Sequence, residues 1–203
     1  MGLKWQVIFA LTISLAIGAA LAAAIGPQHL MSIIIYSPPG LALVGRLAMV
    51  YAPLYDLTGN AYLSLATSIL FINAFTIVTS LVAPLALHAS HTFGLRLRAW
   101  RRWLGRLSWA DWSMSQTVML FASLYLAAFT GLSVAAASLA RSPAAFMVPE
   151  VLYVALTSST VYAASRLPYE GFVAGYKSML RKTVPAIAAL MVVSAVVEAY
   201  EVL

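Results

Sequence analysis

Residues 91–112 read HTFGLRLRAWRRWLGRLSWADW, a stretch that combines basic and aromatic side chains. It contains five of the chain's 12 basic residues and four of its five tryptophans, and long apolar runs flank it on both sides. Arginine is retained on the cytoplasmic side of a membrane, and tryptophan prefers the headgroup level. The stretch therefore predicts a cytoplasmic segment at the bilayer interface, and this segment orients the rest of the chain.

Apolar residues within this stretch recur at spacings of four and three residues from Phe93 to Leu107, which places them on one helical face. We therefore expect a basic amphipathic helix over residues 91–112. Such a helix lies in the inner interface or docks a cytoplasmic partner. The candidate contacts to anionic lipid or to a partner protein are Arg98, Arg101, Arg102 and Arg106.

The composition excludes a soluble domain. Of the 203 residues, 63% are hydrophobic and 9% are charged, whereas soluble domains average about 45–50% and about 25%. The net charge of +6 falls in loops between apolar runs, where it controls topology, so no nucleic-acid partner is expected. The absence of cysteine excludes disulfides, thiolate metal sites and cysteine nucleophiles.

The apolar runs predict an all-α fold. We expect a polytopic α-helical membrane protein, a single integral membrane domain over residues 1–203, with about five transmembrane helices plus short interfacial or re-entrant helices. The predicted spans are residues 5–25, 62–85, 116–139, 148–165 and 184–202.

The distribution of basic residues predicts the orientation of these spans. Ten of the 12 lie before the first span, in the 91–112 stretch or in a second predicted cytoplasmic loop, residues 166–182, and only Arg46 and Arg141 lie on the other side. This bias predicts a multi-pass protein of the cell membrane with its N-terminus in the cytoplasm and its C-terminus outside.

Residues 27–60 allow two interpretations. Their apolar pieces are short for a crossing, and Pro38-Pro39-Gly40 separates them. They form either helices in the outer interface or a re-entrant hairpin with its tip at residues 38–40, which needs cover from other protein. A full span over residues 30–54 would place the arginine-rich stretch outside.

Polar residues inside the predicted spans are the candidate functional groups. Asn73 lies near the middle of the second span, where an asparagine needs a partner on another helix. The fourth span carries a polar stripe at spacings of three, four and three residues, which should face the bundle interior rather than lipid. The stripe consists of Glu150, Tyr153, Thr157 and Thr160.

Glu150 and Glu198 form a second candidate feature, since both lie roughly 3–8 Å below the outer surface of the predicted bundle. Two carboxylates at one depth would share a proton, bind a cation or pair with His29, Arg46 or Arg141. Alternatively, both residues simply mark helix ends at the headgroup level. We expect Glu150 to be a buried carboxylate that function requires.

Motifs of catalysis are absent from the sequence, which has no GxSxG, HExxH, Walker A or GxGxxG pattern. We therefore expect no catalytic residue, no cofactor and no metal site. His88 and His91 are three residues apart without an acidic neighbour, and we interpret them as interfacial loop residues.

Three motifs together resemble the stage II sporulation protein M family of integral membrane proteins. Asn73 in ILFINAF corresponds to an asparagine pair, Glu150 in MVPEVLYVAL to a His-Gly-x-x-Glu segment, and Glu198 in MVVSAVVEAY to a glutamate of the last span. Ala74, Phe146 and Met147 replace the second asparagine, the histidine and the glycine. The resemblance implies a membrane component that works with partner proteins, as in envelope remodelling during sporulation.

These observations favour a non-enzymatic membrane protein, a scaffold or permease-like subunit of an envelope or transport complex. The alternative is a stand-alone homo-oligomeric transporter or channel for a small solute or ion, which would use Glu150 and the polar stripe. An intramembrane enzyme acting on lipid is disfavoured, because no paired Asp motif or nucleophile is present. The expected partners are the lipid bilayer and either a second copy of the chain or another membrane or cytoplasmic protein.

Overall fold

The structure is a computed structural model that describes residues 13, 16, 17, 20, 23–36, 38–100, 112–137, 140 and 142–203. The described part of the chain is all-helical, with short turns at residues 59–60 and 165–171. The predicted first span, residues 5–25, lies mostly outside these residues. The helices are α1 (Pro27–Tyr36), α2 (Pro38–Thr58), α3 (Ala61–Trp100), α4 (Trp112–Ala137), α5 (Pro143–Ala164) and α6 (Phe172–Val202).

Three helices among the described residues are long and apolar enough to cross a membrane, namely most of α3 together with α5 and α6. They are consistent with a membrane location, because a crossing needs about 20 predominantly apolar residues. Helix α4 has 26 residues and no charged side chain, and its crossing remains a prediction.

Helix α3 is longer than predicted. The sequence suggested a span that ends at residue 85 and a separate amphipathic helix that begins at residue 91, but α3 runs through both regions as one helix of 40 residues. The separate helix was wrong for residues 91–100, because no strong helix breaker follows Pro84 there. Residues 101–111 lie outside the described part.

The predicted cytoplasmic loop over residues 166–182 is also mostly helical. Helix α5 ends at Ala164 and α6 begins at Phe172, so the connection is a short turn. Gly171 closes this turn with φ +79°, a left-handed conformation that glycine adopts without steric cost. Lys and Arg are good helix formers, and the basic residues after Gly171 therefore continue α6.

Residues 27–60 form two helices in place of a loop. Helix α1 ends at Tyr36 and α2 begins at Pro38, which suits proline because the first helical turn does not need its missing N–H. Helix α2 packs on α3, and the Thr58 and Ser64 hydroxyl oxygens are 2.9 Å apart across the connecting turn. Both the interfacial and the re-entrant interpretations are compatible with these helices.

Helices α3, α4, α5 and α6 form an antiparallel bundle. The Tyr62 hydroxyl near the start of α3 donates to the Val196 carbonyl near the end of α6 (2.9 Å). Gln116 near the start of α4 contacts the Leu167 carbonyl after the end of α5 (3.4 Å). The core between the helices is formed mainly by aliphatic and aromatic side chains, including Ile77, Leu81, Met119, Val161, Phe172, Tyr176, Ile187 and Met191.

Candidate functional site

The bundle has two chemically different ends. At one end, which we call the acidic end, the start of α5 meets the end of α6, and the Ser142 N–H donates to the Glu201 carboxylate (3.1 Å). At the other, the basic end, the second half of α3 meets the start of α4 and the turn between α5 and α6. The predicted functional residues distribute between these two ends.

The acidic end brings Glu150 and Glu198 together. Both are half-buried, and their charges interact with each other and with the buried Tyr153 between α5 and α6. The hydroxyl of Ser194, which is fully buried, donates to Glu198 Oε1 (2.7 Å). Two carboxylates in this arrangement have the chemistry to share a proton or to hold a cation.

The depth of Glu198 follows from helix geometry. On α6, Glu198 is sixteen residues from Lys182, which is about 24 Å. The hydrocarbon core of a bilayer is about 30 Å thick. If Lys182 lies at one headgroup layer, Glu198 therefore lies about 6 Å inside the opposite boundary.

The polar stripe of α5 points into the bundle, where Tyr153, Thr157 and Thr160 are all buried. Its two threonine hydroxyls donate to carbonyls of their own helix, Thr157 to Tyr153 (2.8 Å) and Thr160 to Leu156 (2.7 Å). These bonds satisfy the hydroxyl donors within their own helix and leave the oxygen lone pairs as acceptors inside the bundle.

Asn73 does not join this site. Asn73 is half-buried on α3, twelve residues from the helix start and so about 18 Å from the acidic end. The backbone of Arg98 belongs to the last turns of α3. The side chain of Arg98 and the whole of Arg101, Arg102 and Arg106 lie outside the described part of the chain.

A compact group of rings at the basic end was not predicted. We call it the aromatic cluster, and it consists of His88, His91, Trp112, Tyr169 and Phe172. His88 stacks on Phe172 and on Tyr169, with ring centroids 4.9 and 4.8 Å apart. Trp112 contacts Phe172 edge-on at 5.2 Å. The interpretation of the histidines as loop residues was wrong, because both belong to α3 and His91 is only 7% exposed.

Polar atoms within the aromatic cluster are unevenly satisfied. The hydroxyl oxygens of Thr92 and Tyr169 are 2.8 Å apart and hydrogen-bonded. His91 Nδ1 and Trp112 Nε1 are buried and find no hydrogen-bond partner among the described residues. The described residues also bring no group of three or more metal-binding side chains together. The cluster therefore joins α3, α4 and α6 mainly through ring packing.

Comparison with known proteins adds no relative. No family model matches the chain, and neither curated proteins nor solved structures match it at a significant level. We therefore infer the function from the geometry of the two ends of the bundle.

Proposed function

We propose that this protein is a non-enzymatic, multi-pass membrane subunit, a scaffold or permease-like component of an envelope or transport complex. The observation that carries the proposal is the length of α3. Its 40 residues extend about 60 Å, whereas the hydrocarbon core is about 30 Å thick. Helix α3 starts at the acidic end, so its second half extends past the membrane at the basic end.

The projecting part of α3 is basic. Arg96 is exposed, Arg98 follows two residues later, and three further arginines come next in the sequence. A positively charged helix that extends from the membrane attracts an acidic surface of a cytoplasmic protein and increases its rate of association. We assign this surface, rather than the bundle core, as the site at which a partner docks.

The proposed topology has five spans, with the N-terminus in the cytoplasm and the C-terminus outside. It is supported by the charge of the basic end, where Arg96, Arg166, Lys177, Arg181 and Lys182 are all exposed. Positive residues remain on the cytoplasmic side. The resemblance to the stage II sporulation protein M family agrees with this proposal, since members of that family work with partner proteins at the envelope.

Purification from native membranes in a mild detergent tests the subunit proposal. We expect the wild-type protein to bring down a stoichiometric partner, and the double variant Arg96→Glu, Arg98→Glu to lose it. The matched control is Lys177→Glu, Arg181→Glu, which makes the same charge change on exposed positions of α6. Recovery of a homo-oligomer without another protein, or equal loss in both variants, would contradict docking on α3.

A second candidate function is transport of a proton or small cation by a homo-oligomer, and it is favoured by the contact between Glu150 and Glu198 within membrane depth. In reconstituted vesicles, Glu150→Gln and Glu198→Gln should then abolish flux, and Glu170→Gln at the exposed turn should not. Equal flux in all three variants would remove this candidate.

A further inference from the structure

Helix α3 passes through a proline where it leaves the membrane-spanning part of the bundle. Pro84 has no N–H to offer the Ser80 carbonyl, and a proline ring inside a helix crowds the carbonyl of the preceding turn. The Pro84 side chain is fully buried, so this turn lies against other helices rather than lipid. Proline sites of this kind are where long helices change direction.

The N-terminal part of α6 contacts α3 on both sides of this proline. Before it, the buried Tyr176 hydroxyl donates to the Leu81 carbonyl (2.8 Å). After it, His88 stacks on Phe172 with ring centroids 4.9 Å apart and planes 11° from parallel. Phe172 and Tyr176 are themselves stacked at 5.6 Å, so the two contacts belong to one rigid unit one turn long.

We propose that Tyr176 and Phe172 form a brace across Pro84, and that this brace, together with the contacts of His91 and Thr92 in the aromatic cluster, fixes the direction in which the arm of α3, residues 93–100, leaves the bundle. The role of the arm in docking rests on the function proposed above, but the brace itself does not. Arg96 is twelve residues beyond the proline, about 18 Å along α3. A change of about 20° at the proline, the size of a sharp kink, would displace Arg96 by about 6 Å.

Tyr176 is therefore a positioning residue that acts through the arm. The hydroxyl is the part of the brace that can be removed without disturbing the ring stack, by Tyr176→Phe. The chain provides a matched control at the acidic end, since Tyr62 makes the same type of bond to the Val196 carbonyl (2.9 Å). Tyr62→Phe deletes an equivalent hydrogen bond and leaves the arm untouched.

Electron–electron distance measurements between two spin labels test the brace. The chain has no cysteine, so labels attach only at introduced sites, Leu95→Cys on the arm and Val118→Cys on α4. These two positions are roughly 20 Å apart along the bundle axis. With Tyr176→Phe we expect the distance distribution to shift or broaden by several Å, up to about 6 Å, with helix content unchanged. An unchanged distribution, or an equal change with Tyr62→Phe, would overturn the proposal.

A second variant distinguishes a change in the direction of the arm from a loss of the fold. Pro84→Ala restores the N–H that bonds to the Ser80 carbonyl and removes the hinge. The double variant Pro84→Ala, Tyr176→Phe should therefore restore a narrow distance distribution. A distance distribution that stays broad in this double variant would also overturn the brace. Both measurements use the purified protein in nanodiscs without a partner. A failed partner purification would therefore refute the docking function alone, and an unchanged distance would refute the brace alone.

Discussion

We predict that the aromatic cluster contributes strongly to stability, and Phe172→Ala tests this prediction. Phe172 is fully buried, and its ring pairs with His88, Trp112 and Tyr176 at 4.9, 5.2 and 5.6 Å. Phe→Ala changes in packed cores cost about 3–5 kcal/mol, and each ring pair contributes about 0.5–1.5 kcal/mol beyond its buried area. Since three pairs are lost together, we expect a loss near the upper part of that range, about 4–5 kcal/mol.

The assay is reversible unfolding in mixed micelles with increasing denaturing detergent, followed by circular dichroism. The matched control is Phe75→Ala, the same substitution on the outer face of α3, where the side chain is 58% exposed and should contribute less than about 1 kcal/mol. A loss below about 1 kcal/mol for Phe172→Ala, or equal losses for the two variants, would refute the packing argument at the basic end.

Further predictions address single positions. Gly171→Ala should destabilise the protein by about 1–2 kcal/mol, because φ is +79° at residue 171. Gly45→Ala should stabilise the protein by up to about 1 kcal/mol, since Gly45 is helical with open space around it. Thermal unfolding compares the two variants. Ser194→Ala should cost about 1–3 kcal/mol in the same assay, because a half-buried carboxylate loses its donor. On intact cells, an impermeant thiol reagent should label Thr58→Cys and leave Ser108→Cys unlabelled, and the reverse pattern would contradict the topology.

Sequence periodicity predicted the helical class, but changes in composition were misleading about helix ends. Between Pro84 and Trp100 the chain changes from apolar to basic, which suggested that one helix ends at residue 85 and a separate helix begins at residue 91, yet nothing there prevents the backbone from continuing as one helix. The same error applied to Lys177 and Arg181, which are good helix formers placed beyond the true break at Gly171. The side chains of these helices therefore change from apolar to basic without ending the helix.

The candidate site was predictable in its place at one end of the bundle and not in its contacts. Counting residues placed Glu150 and Glu198 near the same end, whereas their Coulombic interaction depends on how α5 and α6 are rotated. The hydrogen bond between Ser194 and Glu198 can be predicted from the sequence, because residues four apart share one helical face. No local pattern predicts the bond from Tyr176 to Leu81, since 95 residues separate them and only the packing of α3 on α6 brings them together.

The charged side chains at the two ends of the bundle differ in their exposure. This difference weighs against the interpretation that Glu150 and Glu198 merely mark helix ends. On α6, Lys182 and Glu198 are about 24 Å apart, which leaves about 6 Å of mismatch with a 30 Å hydrocarbon core. Lys182 is exposed, and its long side chain can reach the headgroups. A glutamate that only marked the opposite boundary would be exposed in the same way. Glu198 instead turns inward to Ser194, and Glu150 lies within its field. A carboxylate kept below the membrane surface by a buried donor costs free energy to place there, and a role in function would account for keeping it there.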